Sequence, residues 1–352
     1  MIQTIFEKID EKRSLDREDL RFLLEHREEV QEVVFEKARS IAERYFHKKI
    51  YVRGLIEFTN YCHNNCYYCG IRRGNGEVVR YRLTTEEMES AVAVGAEAGF
   101  QTFVLQGGED AYFTDERLCD WLQRIKKIQP GCAITLSIGE RSKESYAMLK
   151  EAGADRFLLR HETYDPEHYR KLHPKEMDQE RRMQCLYDLK ALGYQVGSGF
   201  MVGSPYQTLE NLVDDFLFLQ EFRPAMIGIG PYVRHHATPF RNFGNGSVEL
   251  TAMCIAILRM LFPTANIPST TAMQTLAKDG RNRGILAGAN VFMPNLSPPR
   301  VRGKYALYDN KAAFALEAAE NLRDLKEQIA ALGYEIVMSR GDFKGREKRY
   351  VR

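Results

Sequence analysis

The decisive stretch of this chain follows its first apolar strand and reads Asn60-Tyr61-Cys62-His63-Asn64-Asn65-Cys66-Tyr67-Tyr68-Cys69-Gly70. The three cysteines are so closely spaced that one short loop presents three thiolates. A cubane iron–sulfur cluster has four iron corners, and protein thiolates ordinarily occupy all of them. Three ligands leave one iron open. The stretch therefore predicts a [4Fe-4S] cluster on Cys62, Cys66 and Cys69 with one iron that is not bound by cysteine.

Cysteines so closely spaced can also bind zinc or form disulfides. A zinc site accepts mixed cysteine and histidine ligands, and His63 would be the fourth ligand. However, His63 directly follows Cys62, whereas structural zinc ligands usually come as two spaced pairs. Disulfides are disfavoured because the remaining cysteines occur singly in helix-like or strand-like segments, which is typical of reduced thiols in cytosolic proteins. These cysteines are Cys119, Cys132, Cys185 and Cys254.

Composition indicates a globular protein with a large core. The chain has 352 residues, of which 44% are hydrophobic and 28% charged. Fifty basic residues against 48 acidic ones give no reason to expect nucleic acid or a membrane surface as a partner. No apolar run approaches the roughly 18 residues of a membrane span, and the amino terminus lacks a leader-like segment. We expect a cytoplasmic protein.

Short apolar runs alternate with longer amphipathic runs from residue 50 onward, which predicts an α/β fold. Eight such units with short turns favour a full (β/α)8 barrel of the TIM type, although a doubly wound open sheet would give a similar string. The polar segments fall at the ends of the strands, where barrel enzymes carry their sites. The predicted strands are Tyr51–Phe58, Thr102–Gln106, Ala133–Ile138, Arg156–Arg160, Gln195–Val202, Met226–Gly230, Asn266–Thr270 and Asn290–Met293.

Capping signals support this division. Thr84 and Glu87 match a capping box at the start of a helix. Glycines that come just before a strand match the left-handed stop of a helix, because glycine adopts positive φ without a Cβ clash. These glycines are Gly99, Gly153, Gly193 and Gly288.

Three regions are expected. Residues 1–48 form an N-terminal helical cap that begins near Ser14–Arg17, residues 49–310 form the barrel, and residues 311–352 form a C-terminal extension. The extension is expected to hold a helix over 311–332, a short strand over Tyr334–Met338, and a basic end over Lys344–Arg349. The apolar stripe of the cap comprises Leu20, Leu23, Leu24, Val30, Val33, Val34, Ala38 and Ile41.

The Cys-x3-Cys-x2-Cys spacing with an aromatic before the last cysteine, followed by Gln106-Gly107-Gly108-Glu109 after the second strand, closely resembles the radical S-adenosylmethionine (SAM) superfamily. The resemblance implies that the open iron binds the amino and carboxylate groups of SAM and that an electron from the cluster gives a 5'-deoxyadenosyl radical. It also implies a set of SAM-binding residues, namely Tyr68, Gln106, Gly107, Gly108, Glu109, Ser137, Glu162, Arg182, Met201 and Tyr308.

Individual roles follow from the same resemblance. The Gly-Gly-Glu element holds the methionyl ammonium, Glu162 accepts the ribose hydroxyls, Arg182 rather than Arg181 pairs with the carboxylate, and Met201 lies beside adenine. Each has an ordinary alternative: Gly-Gly-Glu is also a common turn, Glu162 could form a surface salt bridge, and Met201 could be a core methionine.

Longer strings resemble the HydE family of hydrogenase maturases, from about residue 15 to 310. They are Ile56–Asn60, Tyr68–Arg73, Arg80–Thr84, Arg160–Thr163, Gly228–Pro231, Thr270–Met273 and Tyr305–Tyr308. The resemblance implies a role in assembling the di-iron subcluster of FeFe hydrogenase, on a cysteine-ligated iron carbonyl cyanide precursor. Partners would be an electron donor such as a ferredoxin or flavodoxin and the maturases HydG and HydF.

The sequence departs from that family pattern in two places. Some members carry a second cluster near the carboxyl terminus, but no cysteine follows Cys254 here, so one cluster is expected. Some members have a serine near the position of Gly107, which would alter the substrate pocket slightly.

The substrate pocket, also by resemblance, comprises Arg160 as a cation for an anionic ligand, Thr270 and Thr271 as hydroxyl donors, and Tyr305 as an aromatic wall beside Tyr308. Structural tyrosines are the alternative for the last two. Three rival functions remain: a methylornithine synthase-like mutase acting on lysine, a biotin synthase-like sulfur insertion for which no second set of cluster ligands is visible, and a non-catalytic iron–sulfur carrier.

Overall fold

Three helices precede the first strand in the computed structural model, which describes residues 1–311 and 322–345. They are α1 (Ile2–Asp10), α2 (Arg17–Glu25) and α3 (Arg27–Phe46). Asp16 caps α2, because its carboxylate accepts from the Asp19 amide at 3.0 Å while the Asp19 carboxylate accepts from the Asp16 amide at 3.1 Å. The start predicted near residues 14–17 is confirmed for α2, and α1 is a further helix before it.

Strands of the rest of the chain are short. They are β1 (Lys49–Val52), β2 (Gly54–Thr59), β3 (Thr102–Gly107), β4 (Ala133–Ser137), β5 (Arg156–Leu158), β6 (Gln195–Ser198), β7 (Met201–Val202), β8 (Met226–Ile227), β9 (Gly230–Pro231), β10 (Val291–Phe292) and β11 (Glu335–Val337).

Helices alternate with these strands. They are α4 (Thr85–Glu97), α5 (Asp115–Ile128), α6 (Lys143–Glu151), α7 (Pro166–Leu172), α8 (Gln179–Ala191), α9 (Leu209–Phe222), α10 (Val248–Leu261), α11 (Thr271–Leu276), α12 (Gly280–Leu286), α13 (Pro299–Arg302) and α14 (Leu322–Ala331). Among the described helices, none combines the length and the apolar character needed to cross a lipid bilayer.

The central sheet is parallel and six-stranded, in the order β2-β3-β4-β5-β6-β8. Beyond its two edges, isolated parallel bridges join Met226 to Asn266, Pro268 to Val291, and Leu55 to Asn295. The predicted α/β architecture and parallel sheet are confirmed, whereas the full eight-stranded barrel stays a prediction. The segments predicted as its last two strands contribute bridges and the two-residue strand β10 rather than a regular ladder.

Three predicted strands are interrupted. The first is split into β1 and β2, and β1 pairs with β10 and β11 instead of joining the central sheet. The fifth breaks at Gly199, whose φ of +156° leaves the extended region, so β7 pairs with β9 in a separate two-stranded sheet. The sixth is likewise split into β8 and β9. Hydrophobicity alone marks a buried run and not such a break.

The N-terminal helices pack against outer helices of the central unit, α2 against α9 and α3 against α10. The predicted apolar stripe is buried except at Val33, where the prediction is wrong because the side chain is 44% exposed. The buried positions of α3 include Val30, Val34, Ala38 and Ile41, and Val33 lies to one side of that face.

The predicted helix ends are confirmed. Thr84 and Glu87 form the capping box of α4, with Glu87 accepting from the Thr84 amide at 2.9 Å. The glycines predicted as left-handed stops all have positive φ, from +76° to +118°. They are Gly99, Gly153, Gly193 and Gly288.

The C-terminal segment crosses the amino ends of the central strands. Arg156, which is buried on β5, donates to the Asp342 carboxylate at 2.6 Å, and Gln195 donates to the same carboxylate at 3.1 Å. The predicted strand over 334–338 is confirmed as β11. Residues 312–321 of the predicted helix and residues 346–349 of the predicted basic end lie outside the described residues.

Gly199 has no room for a side chain. A Cβ there would lie 2.0 Å from the Gly228 carbonyl oxygen, on a backbone that L side chains rarely adopt. We expect Gly199→Ala to lower the free energy of unfolding by about 1–3 kcal/mol or more, as overpacking does. The denaturation midpoint measures this. Gly244→Ala is the control, since no atom lies within 4 Å of its Cβ position. Equal midpoints for both variants would contradict the prediction.

Candidate active site

The cysteine loop follows β2 and is tied to three other segments through its backbone. The amide of His63 donates to the Glu109 carbonyl at 3.0 Å, that of Tyr67 to Leu172 at 3.0 Å, and that of Gly70 to Leu307 at 2.7 Å. Gly108 is required next to the loop, because a Cβ there would lie 2.2 Å from the Tyr61 carbonyl oxygen. The loop is therefore fixed against the end of β3.

The three thiols fit an iron–sulfur cluster better than a single ion. A tetrahedral zinc site would need a fourth ligand beside the three thiols, whereas a cubane spreads its ligands over separate irons. His63 does not line the cavity with the cysteines, and its Nδ1 lies 3.0 Å from the Glu109 carbonyl oxygen. The zinc alternative is thus disfavoured.

Burial keeps the free thiols protonated. It raises the pKa of Cys69 to about 12, and it also raises the pKa of Cys62 and Cys66. Iron binds thiolates, so loading these ligands would release their protons. The Glu109 amide donates to the Cys62 sulfur at 3.4 Å, which is the kind of contact that stabilises a ligating thiolate.

Arg182 lies between two carboxylates beside the loop. Its Nη2 is 3.8 Å from Glu109 Oε1 and its Nε is 2.9 Å from Glu140 Oε1. Burial raises the pKa of Glu109, and the charge of Arg182 opposes that shift. The two residues predicted to hold the ammonium and the carboxylate of SAM therefore lie 3.8 Å apart.

Arg160 and Glu162 form a second charged pair, with Arg160 Nη2 3.0 Å from Glu162 Oε2. Glu162 has a φ of +67°, which is uncommon for a residue other than glycine. Its amide donates to the Gly199 carbonyl and its carbonyl accepts from the Met201 amide, both at 3.1 Å. Such strained residues persist where the surroundings hold them, and they concentrate at functional sites.

His161, between these two residues, points away from the site. It is fully buried, with Nδ1 2.9 Å from the Ser198 hydroxyl and Nε2 3.0 Å from Asp215 Oδ1. Burial lowers its pKa to about 3. Asp215 also accepts from the Tyr164 amide at 2.7 Å. This network anchors the turn that carries Arg160 and Glu162.

The other predicted substrate residues, Thr270, Thr271 and Tyr305, line the same cavity as Arg160. Tyr305 is buried and its hydroxyl accepts from Gln106 Nε2 at 3.5 Å. The hydroxyl oxygen of Thr270 is buried and has no hydrogen-bond partner among the described residues. A polar group left unsatisfied in this way is the natural contact for a ligand.

Sequence reasoning missed a third pair. Glu57 on β2 forms a close ion pair with Lys311, which also donates to the Tyr305 carbonyl at 2.8 Å. Asn295 donates to the other Glu57 oxygen at 2.9 Å. A lone glutamate inside an apolar strand was the available signal. Glu140, the partner of Arg182, was also missed and is marked only by its place after β4.

The residues predicted for the site meet in one cavity of about 370 Å³. It is lined by every residue predicted for the cluster, for SAM and for the substrate. These are Cys62, Cys66, Tyr68, Cys69, Gln106, Gly107, Gly108, Glu109, Ser137, Arg160, Glu162, Arg182, Met201, Thr270, Thr271, Tyr305 and Tyr308. Glu57 and Lys311 line it too.

Comparison with known proteins gives consistent results. The Radical SAM superfamily model matches residues 56–219. The chain is 45% identical over 308 residues to the [FeFe] hydrogenase maturase subunit HydE of Thermotoga maritima, covering 87% of each chain. It is 30% identical over 329 residues to 3-methylornithine synthase of Methanosarcina acetivorans, covering 93% of this chain and 91% of the relative.

Solved structures show the same fold. Methylornithine synthase (PylB) superposes with a TM-score of 0.83 at 28% identity, covering 94% of this chain and 96% of that one. HydG, a maturase of the [FeFe]-hydrogenase, gives a TM-score of 0.81 at 22% identity, covering 96% and 76%. Family membership implies a [4Fe-4S] cluster and SAM as cofactors. This chain is a radical SAM enzyme and belongs to the HydE family.

Proposed function

We propose that this chain cleaves SAM reductively and acts in assembling the di-iron subcluster of FeFe hydrogenase, on a cysteine-ligated iron carbonyl cyanide precursor. The observation that carries the proposal is the single cavity into which the cysteine loop, the charged pairs and the tyrosine wall all face. Identity of 45% to HydE across 87% of both chains supports the maturase role.

In this proposal Cys62, Cys66 and Cys69 hold one cluster per chain and leave one iron open. When bound, the cluster and SAM supply the electron and the adenosyl group from which the 5'-deoxyadenosyl radical forms. Glu109 and Arg182 orient the ammonium and carboxylate of SAM, and Glu162 accepts from the ribose. Because burial strengthens these charged contacts, they fix SAM relative to the open iron.

Arg160, Thr270, Thr271 and Tyr305 would then position the substrate. Arg160 presents a cation to an anionic ligand, and the threonines offer hydroxyls. The electron donor would be a ferredoxin or flavodoxin, and HydG and HydF the partner maturases. We also propose the division into an N-terminal helical part to residue 48, a closed (β/α)8 barrel to residue 310 and an extension. The isolated bridges beyond β8 and β2 support closure.

A second candidate is a methylornithine synthase-like mutase acting on lysine. It is favoured by the similarity to 3-methylornithine synthase over 93% of this chain and by the TM-score of 0.83. A cavity in which Arg160 binds a carboxylate would also accept an amino acid. A direct assay of each reaction is therefore needed to distinguish the two candidate functions.

We predict that anaerobic reconstitution loads about four irons per chain. Replacing Cys62, Cys66 or Cys69 by alanine is expected to abolish the cluster and SAM cleavage, because each supplies a ligand. Iron content and 5'-deoxyadenosine are the measurements. Cys119→Ala is the matched control, since this cysteine lies on α5 and does not line the cavity. A full cluster in two of the three variants would refute the ligand assignment.

Glu162→Gln and Arg182→Ala are expected to weaken SAM binding by about 1–3 kcal/mol each, because each loses a charged contact. The cluster is expected to remain. Titration of SAM against the reconstituted protein, followed by calorimetry or by the cluster spectrum, measures the affinity. Arg181→Ala is the control, because that side chain is 67% exposed and lies outside the cavity lining. Unchanged affinity in both test variants would mean that the nucleoside pocket is misplaced.

Arg160→Ala and Tyr305→Phe are expected to retain the cluster and background SAM cleavage but to lose productive turnover. Misplacement of the substrate by about 1 Å can cost around a hundredfold in rate. The assay is activation of apo-hydrogenase with the partner maturases, with 5'-deoxyadenosine counted separately. Normal activation by both variants would refute the pocket. A parent protein that fails to activate hydrogenase but rearranges lysine would establish the second candidate.

A further inference from the structure

One arginine binds both ends of the cysteine loop. The guanidinium of Arg80 donates to four backbone carbonyls, those of Asn60 at 2.5 Å, Ile71 at 2.8 Å, Arg72 at 2.7 Å and Asn75 at 3.3 Å. We call this set of contacts the Arg80 clamp. A planar guanidinium with five donors suits such a fan of acceptors, and an ammonium group does not.

The clamped carbonyls flank the iron ligands. Asn60 comes two residues before Cys62, and Ile71 comes two residues after Cys69. The side chain of Asn60 reinforces the connection, because it accepts from the Tyr81 amide at 2.8 Å and donates to the Val79 carbonyl at 3.0 Å. The start and the end of the loop are thus held to one another through the strand-like segment around Arg80.

Backbone carbonyls are the only hydrogen-bond acceptors that the described residues offer to the Arg80 guanidinium, and no described carboxylate pairs with it. Arg82, two residues later, differs from Arg80 because it has a carboxylate partner. Its Nε and Nη2 donate to Asp110 at 2.7 and 2.9 Å, so that its charge is neutralised. Arg80 therefore places a full positive charge beside the loop.

That charge lies close to the predicted ligands, because Arg80 binds the carbonyls of Asn60 and Ile71, each two residues from a ligating cysteine. A cation that favours thiolates also favours the more negative form of a cluster on those thiolates. Net charge and hydrogen bonding around the ligands are among the factors that set cluster potentials.

We propose that Arg80 is a positioning residue for the iron–sulfur cluster, which fixes the cysteine loop through the four-carbonyl clamp and makes the cluster easier to reduce through its unneutralised charge. The inference rests on the cluster of the proposed function. It concerns how the cluster is held and reduced, and it is independent of which substrate occupies the cavity.

Two substitutions separate the clamp from the charge. Arg80→Lys keeps the charge but cannot reach four carbonyls at once, and Arg80→Gln loses both. Arg73→Gln is the matched control, because it removes the same charge from an exposed side chain of the same loop, where water screens it. The reconstituted full chain is used without SAM, and the midpoint potential is read from a redox titration followed by electron paramagnetic resonance. Iron loss to a chelator is timed in parallel.

We expect Arg80→Gln to shift the midpoint potential to more negative values and to lose iron several-fold faster than the parent. Arg80→Lys is expected to lose iron faster as well, with a potential close to that of the parent, and Arg73→Gln to match the parent in both. A glutamine variant that melts like the parent but binds no iron would also support the clamp.

Other results overturn the inference. A midpoint potential in Arg80→Gln equal to that of the parent would refute the effect of the charge. Iron retention equal to that of the parent in both Arg80 variants would refute the role of the clamp. Variants that unfold altogether would make Arg80 a general structural residue. Failure of the proposed function is distinguishable, since in that case the parent protein itself would bind no cluster.

Discussion

Charge neutrality inside the cavity is the constraint on which the site depends. A carboxylate taken out of water is costly unless a cation lies opposite, so a cavity lined by acids must pair them. The structure does so on three sides of one cavity. The pairs are Glu109 with Arg182, Glu162 with Arg160, and Glu57 with Lys311.

This pairing explains how charged residues can line the cavity when no ligand is bound. The 3.8 Å separation between Glu109 and Arg182 is too long for a good hydrogen bond, so neither group is fully committed to the other. Arg182 is held more closely by Glu140, whose Oε1 lies 2.9 Å from its Nε.

Backbone geometry, rather than side-chain chemistry, decides where the second pair lies. Glu162 has a left-handed backbone, and its amide donates at 3.1 Å to the carbonyl of Gly199, a position with no room for a side chain. His161 and Asp215 hold the same turn from beneath. The alternation of Arg160 and Glu162 toward the cavity with His161 away from it follows from that turn.

The sequence was sufficient for features that depend on neighbours along the chain. The capping box at Thr84 and the glycine stops are local, and both are found as expected. Residues at strand ends were also predictable, because parallel strands bring their carboxyl ends to one edge. The breaks in the predicted strands were not, since a buried run has the same composition whether or not its backbone leaves the sheet.

Long-range partners were equally hidden. Lys311 and Glu57 form an ion pair although they are 254 positions apart in the sequence, and the residues next to either one do not indicate its partner. Arg182 was found from its motif, but its partner Glu140 has none. Such contacts form only in the folded protein. Sequence motifs therefore predicted the candidate cofactor ligands, and the structure identified the charged groups that pair with one another in the cavity.

The same reasoning indicates where relatives of this fold can diverge. The chain aligns with a hydrogenase maturase and with a mutase over most of its length, so the scaffold does not determine the reaction. The cysteine loop and the Glu109–Arg182 pair are the residues for which the resemblance to the superfamily predicts cluster and SAM binding. Tyr305, Thr270 and the Glu57–Lys311 pair line the same cavity but come from other segments than the three cysteines. A substitution among them therefore changes the cavity wall while it leaves the cysteines themselves in place.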